Sequence, residues 1–316
     1  MQGRSARALI AVLAAMLWLA LAGSALAAER VCSLTIEYKN ADGLPIEGAV
    51  FRLYRVAEAA EGGGFAAVPA FEPYVNLVDG GLNGGDWRAL AELLPGYATV
   101  DDGIQVYTTP DGARCEGAVD KDGLLVFRGL EPGLYLAVGD AAAIRGQDGS
   151  EVRYAVKASL AALPGLDGDG VQRDDLTILP KEEPLDAEPV DLTVQKRWKG
   201  DAEDARPAEI RVQLLRDGAP ADEAVLSRSN GWQYQWEKLE GGARWTVVEN
   251  PVPAGYLPTY AAEGSLTVIT NVKANPVSGG GKLPQTGLLR WPAPVLALAG
   301  IALLLAGWMR SRKHEK

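Results

Sequence analysis

Apolar and polar positions alternate with a period of two through most of the chain, in short runs. Residues 33–38, 49–56, 124–127 and 134–138 form a first series, and 192–198, 210–216, 232–236, 245–249 and 266–272 a second. Successive side chains of a strand point to opposite faces, so these runs predict half-buried strands. Asp42-Gly43, Asp122-Gly123 and Asp217-Gly218 stand beside them and supply turn chemistry. Regular short strands separated by turns predict an all-β chain of two tandem β-sandwiches. One stretch departs from the pattern. Trp87, Leu90, Leu93 and Leu94 recur at helical spacing behind Asp86, which predicts a short helix with Asp86 as its N-cap, inside a Gly-rich insertion of the first sandwich.

Two longer apolar runs lie near the ends. Residues 8–21 follow Arg4 and Arg7 and precede Ala25-Leu26-Ala27, the layout of a signal peptide cleaved after residue 27. Residues 291–309 are enough for a transmembrane helix. Arg310, Arg312, Lys313 and Lys316 follow and belong on the cytoplasmic side. Between these ends, 181–189 is charged and flanked by proline, which predicts an extended hinge, and 274–282 with its three glycines predicts a flexible linker. The expected organisation is therefore a signal peptide (1–27), a first β domain (28–182), a second (190–273), a linker (274–282) and a C-terminal segment (283–316).

Charge and composition narrow the function. The chain carries −10. Arg4 and Arg7 in the leader and a net excess of four basic residues after Thr286 leave the exported part at −16, which argues against nucleic acid or anionic lipid as a partner. The sole histidine, His314, lies in the C-terminal tail. The exported part thus has no imidazole for a Ser-His-Asp or Cys-His centre or a His-ligated metal. No metal or cofactor site and no enzymatic turnover are predicted. Cys32 and Cys115 both face an oxidising exterior, where a disulfide between them is the expectation and two separate buried thiols the alternative.

Two charged residues fall on apolar faces. Lys196 shares its side of the strand with Leu192, Val194 and Trp198, and Glu249 shares its side with Trp245 and Val247. An ammonium or carboxylate buried alone is costly, so each needs a partner or an edge position. Asn271 alternates with Thr267 and Ile269, a mixed face that does not fix its direction.

Several motifs carry a resemblance. Thr193-Val-Gln-Lys-Arg-Trp198, the 206–218 strand ending in Asp217-Gly218, Trp245-Thr-Val-Val-Glu-Asn250, Pro253-Ala-Gly-Tyr256 and Ile269-Thr-Asn271 together resemble the collagen-adhesin B-type (CnaB) repeat, in that family's order. The resemblance implies an immunoglobulin-like sandwich locked by a spontaneous Lys–Asn isopeptide bond, with Lys196 as nucleophile, Asn271 as acceptor amide and Glu249 as proton shuttle. Residues 34–56 and 123–138 resemble a SpaA-like, prealbumin-like pilin domain. There Tyr38 stands where the family has its lysine, Lys39 is one place off, and Gly139 occupies the carboxylate position, so no such bond is expected. Leu176-Thr-Ile-Leu-Pro-Lys181 resembles a pilin motif and makes Lys181 a candidate acceptor of the next subunit. Leu283-Pro284-Gln285-Thr286-Gly287 resembles the LPXTG sorting signal of Gram-positive surface proteins. That implies a sortase as partner, transfer of the Thr286 carbonyl to a peptidoglycan precursor or another pilin subunit, and a cell-wall location. The expectation is a pilus subunit with a structural or adhesive role. The alternative is a stand-alone adhesin binding a host or matrix ligand, with the Trp87 helix as its contact surface.

Overall fold

The computed structural model describes residues 30–273, apart from positions 41, 61–63, 76, 78–83, 146–150, 167–170 and 186. The signal peptide, the linker, Leu283 to Gly287 and the expected transmembrane helix lie outside the described residues. Among the described residues no helix is long and apolar enough to cross a membrane.

The chain is built mainly of strands. In the first sandwich, β1 (Cys32–Glu37) lies between antiparallel β5 (Leu124–Leu130) and parallel β12 (Asp175–Ile178). The facing sheet centres on β2 (Val50–Ala59) and β6 (Gly133–Gly139), with β9 (Ser159–Leu163) beyond β6 and β3 (Phe65–Ala67) and β4 (Glu116–Ala118) against β2. Leu34, Ile36 and Tyr38 from one sheet meet Phe51, Leu53 and Tyr135 from the other, the period-two pattern expressed as a core. Two smaller sheets complete this part: β7 (Ala142–Arg145) with β8 (Glu151–Val156) and β13 (Glu182–Pro184), and β10 (Gly165–Leu166) with β11 (Gln172–Arg173).

The second sandwich pairs the sheet β17 (Gln233–Leu239), β14 (Val190–Lys199), β20 (Leu266–Lys273), β19 (Tyr256–Glu263) with the sheet β16 (Ala219–Ser227), β15 (Glu209–Arg216), β18 (Trp245–Glu249). Its first and last strands, β14 and β20, run parallel side by side. Val194, Val212, Leu214, Leu226, Trp236 and Ile269 fill the space between the sheets.

Three expectations are corrected. Helix α1 spans Gly84–Val100, starting before Asp86, so Asp86 lies inside it rather than at its cap, and Pro95 falls in its interior. Its apolar side packs Leu93, Leu94 and Tyr97 against Val56, Leu134 and Leu136 of the first sandwich and against Leu215 and Val248 of the second. Gly96 makes that approach possible: a Cβ there would lie 2.2 Å from Val248 Cγ1. The helix is thus the centre of an apolar core shared by both sandwiches, not a display surface. The 181–189 segment is not a free hinge. β13 pairs with β8, the Lys157 N–H donates to the Lys181 carbonyl at 2.8 Å, and the Leu185 N–H donates to the Arg153 carbonyl at 2.9 Å. Arg153 also meets Asp217 at 3.1 Å and the Gly242 carbonyl at 2.8 Å, and Arg244 donates to the Val156 carbonyl at 3.0 Å, stitching the sandwiches together.

The cysteines supply the third correction. Cys32 and Cys115 are both buried free thiols. Cys32 opens β1, opposite Leu130, whereas Cys115 precedes β4 on the facing sheet and accepts the Leu53 N–H through its carbonyl. Each sulfur packs into the first core as a small apolar group.

Candidate cross-linking site

Strand β14 alternates as the sequence predicts, with Leu192, Val194 and Lys196 inward. Strand β20 resolves the ambiguity about Asn271: Thr267, Ile269 and Asn271 are its buried positions, so the mixed face is the inner one. In the parallel register Lys196 lies opposite Ile269 and Trp198 opposite Asn271, which brings lysine and asparagine onto adjacent strands. Glu249 ends β18 on the facing sheet. Lys196 is 4% exposed, and Glu249 and Asn271 are wholly buried.

The three side chains meet. Lys196 Nζ donates to Glu249 Oε2 at 3.1 Å, and Asn271 Nδ2 donates to Glu249 Oε1 at 3.0 Å. One carboxyl therefore bridges the amine and the amide. Asn271 Oδ1 is buried without a hydrogen-bond partner. An orphaned buried acceptor is costly, and such exceptions concentrate where chemistry is done.

Burial dominates the electrostatics. It lowers the Lys196 pKa to about 8, against the opposing pull of Glu249 and Asp201. Burial also raises the Glu249 pKa, opposed by Lys196 and by the Asn271 hydrogen bond. Both shifts favour the uncharged pair, a free amine beside a protonated acid.

Aromatic rings form the walls. Lys196 Nζ lies 4.7 Å from the centre of the Trp198 ring, which packs edge-to-face on Trp232 and Tyr256. The Tyr256 hydroxyl donates to Asp201 at 2.9 Å, and Arg206 pairs with the same carboxylate at 3.0 Å. Trp236 is buried further along the core, its Nε1 donating to Asp222, and Trp245 is half-buried, donating to the Glu240 carbonyl. On the far side the Glu249 N–H donates to the Tyr260 hydroxyl at 2.8 Å. Tyr260 escaped the sequence reading because β19 contains Pro258 and lacks a clear alternation.

The corresponding place in the first sandwich is filled differently. Tyr38 is fully buried, its ring edge-on to Phe51, and Lys39 turns out to pair with Glu37 at 2.6 Å. At Gly139 a Cβ would come within 2.7 Å of Phe51 and 2.9 Å of Val156, leaving no room for a carboxylate side chain. Lys181 is exposed between β12 and β13.

Residues 192–272 match the model of the Cna protein B-type domain. That segment, which carries all three buried residues, is a domain of this type. Among solved structures the chain is similar to a single B repeat unit of the collagen-binding surface protein Cna of Staphylococcus aureus (16% identity, 78% of this chain and 98% of that one, TM-score 0.26). It is also similar to a streptococcal ancillary pilin (17% identity, 79% and 64%, TM-score 0.28). A third likeness is to the full-length major pilin SpaD of Corynebacterium diphtheriae (15% identity, 77% and 64%, TM-score 0.29). The chain thus spans under two thirds of the length of each of these two pilins. No curated protein matches the sequence.

Proposed function

We propose that this chain is a structural protein of a Gram-positive cell surface, a sortase-anchored pilus subunit whose second domain locks itself with a Lys196–Asn271 isopeptide bond. The observation that carries the reading is the buried lysine–carboxyl–asparagine triad. The uncharged Lys196 amine attacks the Asn271 side-chain carbonyl carbon, and Glu249 takes up the amine proton and returns one to the departing nitrogen. A C–N bond to lysine forms, the C–N bond to the amide nitrogen breaks, and ammonia leaves. Exchanging the positions of the Asn271 amide oxygen and nitrogen lets protonated Glu249 donate to the carbonyl and polarise it.

The product ties the first strand of the domain to its last, closing a loop of about 75 residues. On the chain-entropy account of cross-links this contributes about 4 kcal/mol. Pulling on the two ends of the domain then loads a covalent bond instead of a ladder of hydrogen bonds. Intact mass tests the bond directly. The protein is expected to be lighter than its sequence by one ammonia, and Asn271→Ala or Lys196→Ala to restore the full mass and lower the Tm by on the order of 10 °C. An unshifted wild-type mass refutes the bond.

Anchoring rests on the sequence: LPQTG at 283–287, the apolar run 291–309 and the basic tail. Lys181 is the proposed acceptor for polymerisation, with an exposed side chain and a main chain held by β8. The stand-alone adhesin reading loses its main support, because Trp87 packs edge-to-face on Phe65 and joins the shared core.

A further inference from the structure

The helix of the first sandwich reaches the back of the buried triad. Tyr260 belongs to two apolar clusters at once, the second sandwich's own core and the one shared with α1. Its hydroxyl accepts the Glu249 N–H at 2.8 Å. Tyr97 of α1 is fully buried, stacked on Tyr74 at 3.8 Å between ring centres, and Tyr74 in turn donates to Asp101 at 2.6 Å. The Tyr97 hydroxyl is buried without a hydrogen-bond partner, and burial, helped by the neighbouring Tyr260, pushes its pKa well above the usual value. Val248, next to Glu249, fits under the bare Gly96, where even one methyl would collide with it. Strand β18 is therefore clamped on both faces at its reacting end, with Val247 in the second core and Val248 under the helix.

We propose that α1 of the first domain completes the cross-linking site of the second: the helix seals the Glu249 end from water, and Tyr260 is a positioning residue that fixes the Glu249 main chain. This rests on the isopeptide reading above. The physical reason is that the reaction needs a dry pocket to keep Lys196 uncharged, and a carboxyl held in reach of both amine and amide. The second sandwich supplies Trp198 on one side, and the first supplies the helix on the other. Bond formation then becomes contingent on docking of the two domains, so only a correctly assembled chain is locked.

The test follows ammonia loss by intact mass at intervals after a short pulse of synthesis of the full chain. Tyr260→Phe keeps the ring and removes the acceptor of the Glu249 N–H; bond formation is expected to slow roughly tenfold. Gly96→Ala is expected to slow it at least as much by lifting the helix from Val248. Val248→Ala alone loosens the same contact and should slow bond formation less than Gly96→Ala does, and Gly96→Ala combined with Val248→Ala should run closer to the wild-type rate than Gly96→Ala alone. Wild-type rates in both Tyr260→Phe and Gly96→Ala overturn the proposal, as does a double variant as slow as Gly96→Ala. If Gly96→Ala does not fold, Tyr260→Phe decides alone. A wild-type chain that never loses ammonia refutes the isopeptide reading itself, which separates that failure from this one.

Discussion

At the scale of single residues, burial sets the chemistry. Lys196 and Glu249 were legible in the sequence because a charged side chain in an alternating apolar run has few reasons to be there. Asn271 was not legible from alternation, since Thr267 and Ile269 make a face of either kind; only the fold shows that the threonine is inward too. With the Lys196 pKa near 8, most of its amines carry a proton at lower pH and cannot attack. The raised Glu249 pKa keeps the acid protonated up to some pH above the usual carboxylate range, beyond which the proton donor is lost. Bond formation in freshly made chains should therefore be slower at about pH 6 than at about pH 8 and fall again in strong alkali. Equal rates of ammonia loss at the two lower values would contradict the assignment of Lys196 as a neutral nucleophile. The cysteines make a second residue-level prediction. Burial pushes Cys115 up to about 11 and Cys32 above its usual value, so little thiolate exists in the native state. Alkylation without reductant should be slow in the folded protein and should label both cysteines once it is unfolded. No label on either cysteine after unfolding would restore the disulfide.

Among the elements, strands with one wet face were easy to find and those without were not. The reading located β1, β14, β15 and β18 to within two residues at each end, because each alternates and is bounded by turn residues. Among the strands it missed in the second sandwich are β16, whose first five residues are exposed and include Pro220, Asp222 and Glu223, and β19, interrupted by Pro258. Such strands are held by pairing with β15 and β20 rather than by an apolar stripe of their own. The helix was found from Trp87 and the leucines, but its partner was invisible. Val248 and Leu215 alternate as outward residues of the second sandwich, and nothing local says that α1 covers them. Leu94, wholly buried in that shared core, tests the arrangement. Leu94→Ala should cost about 2–5 kcal/mol and, measured in chains also carrying Asn271→Ala, should lower the unfolding of both sandwiches together. Two transitions, with only the first displaced, would mean that the helix serves its own sandwich alone.

For the whole molecule the question is how load passes from one end to the other. Helix packing, the Arg153 and Arg244 contacts and the β8–β13 pairing leave no free hinge among the described residues between the sandwiches. Force entering at Lys181 would meet a main chain already zipped to β8. Force leaving toward 274 would pass through β20, which the proposed Lys196–Asn271 bond would tie to β14. A polymer joined through Lys181 and Thr286 would therefore carry tension across the second sandwich by way of its covalent lock. The first sandwich would lie beside that path rather than within it. This makes the roles of the two attachment residues separable. Thr286→Ala should leave the protein unattached to the wall, whether or not it polymerises. In cells with a pilin-polymerising sortase, Lys181→Ala should abolish the high-mass ladders in boiled wall extracts while a single wall-linked species remains. Ladders that persist without Lys181 would place the acceptor amine elsewhere. If the unaltered protein gives no ladder either, the chain is a single-copy or basal subunit, and the proposed lock of the second domain would bear the load of whatever is attached above it.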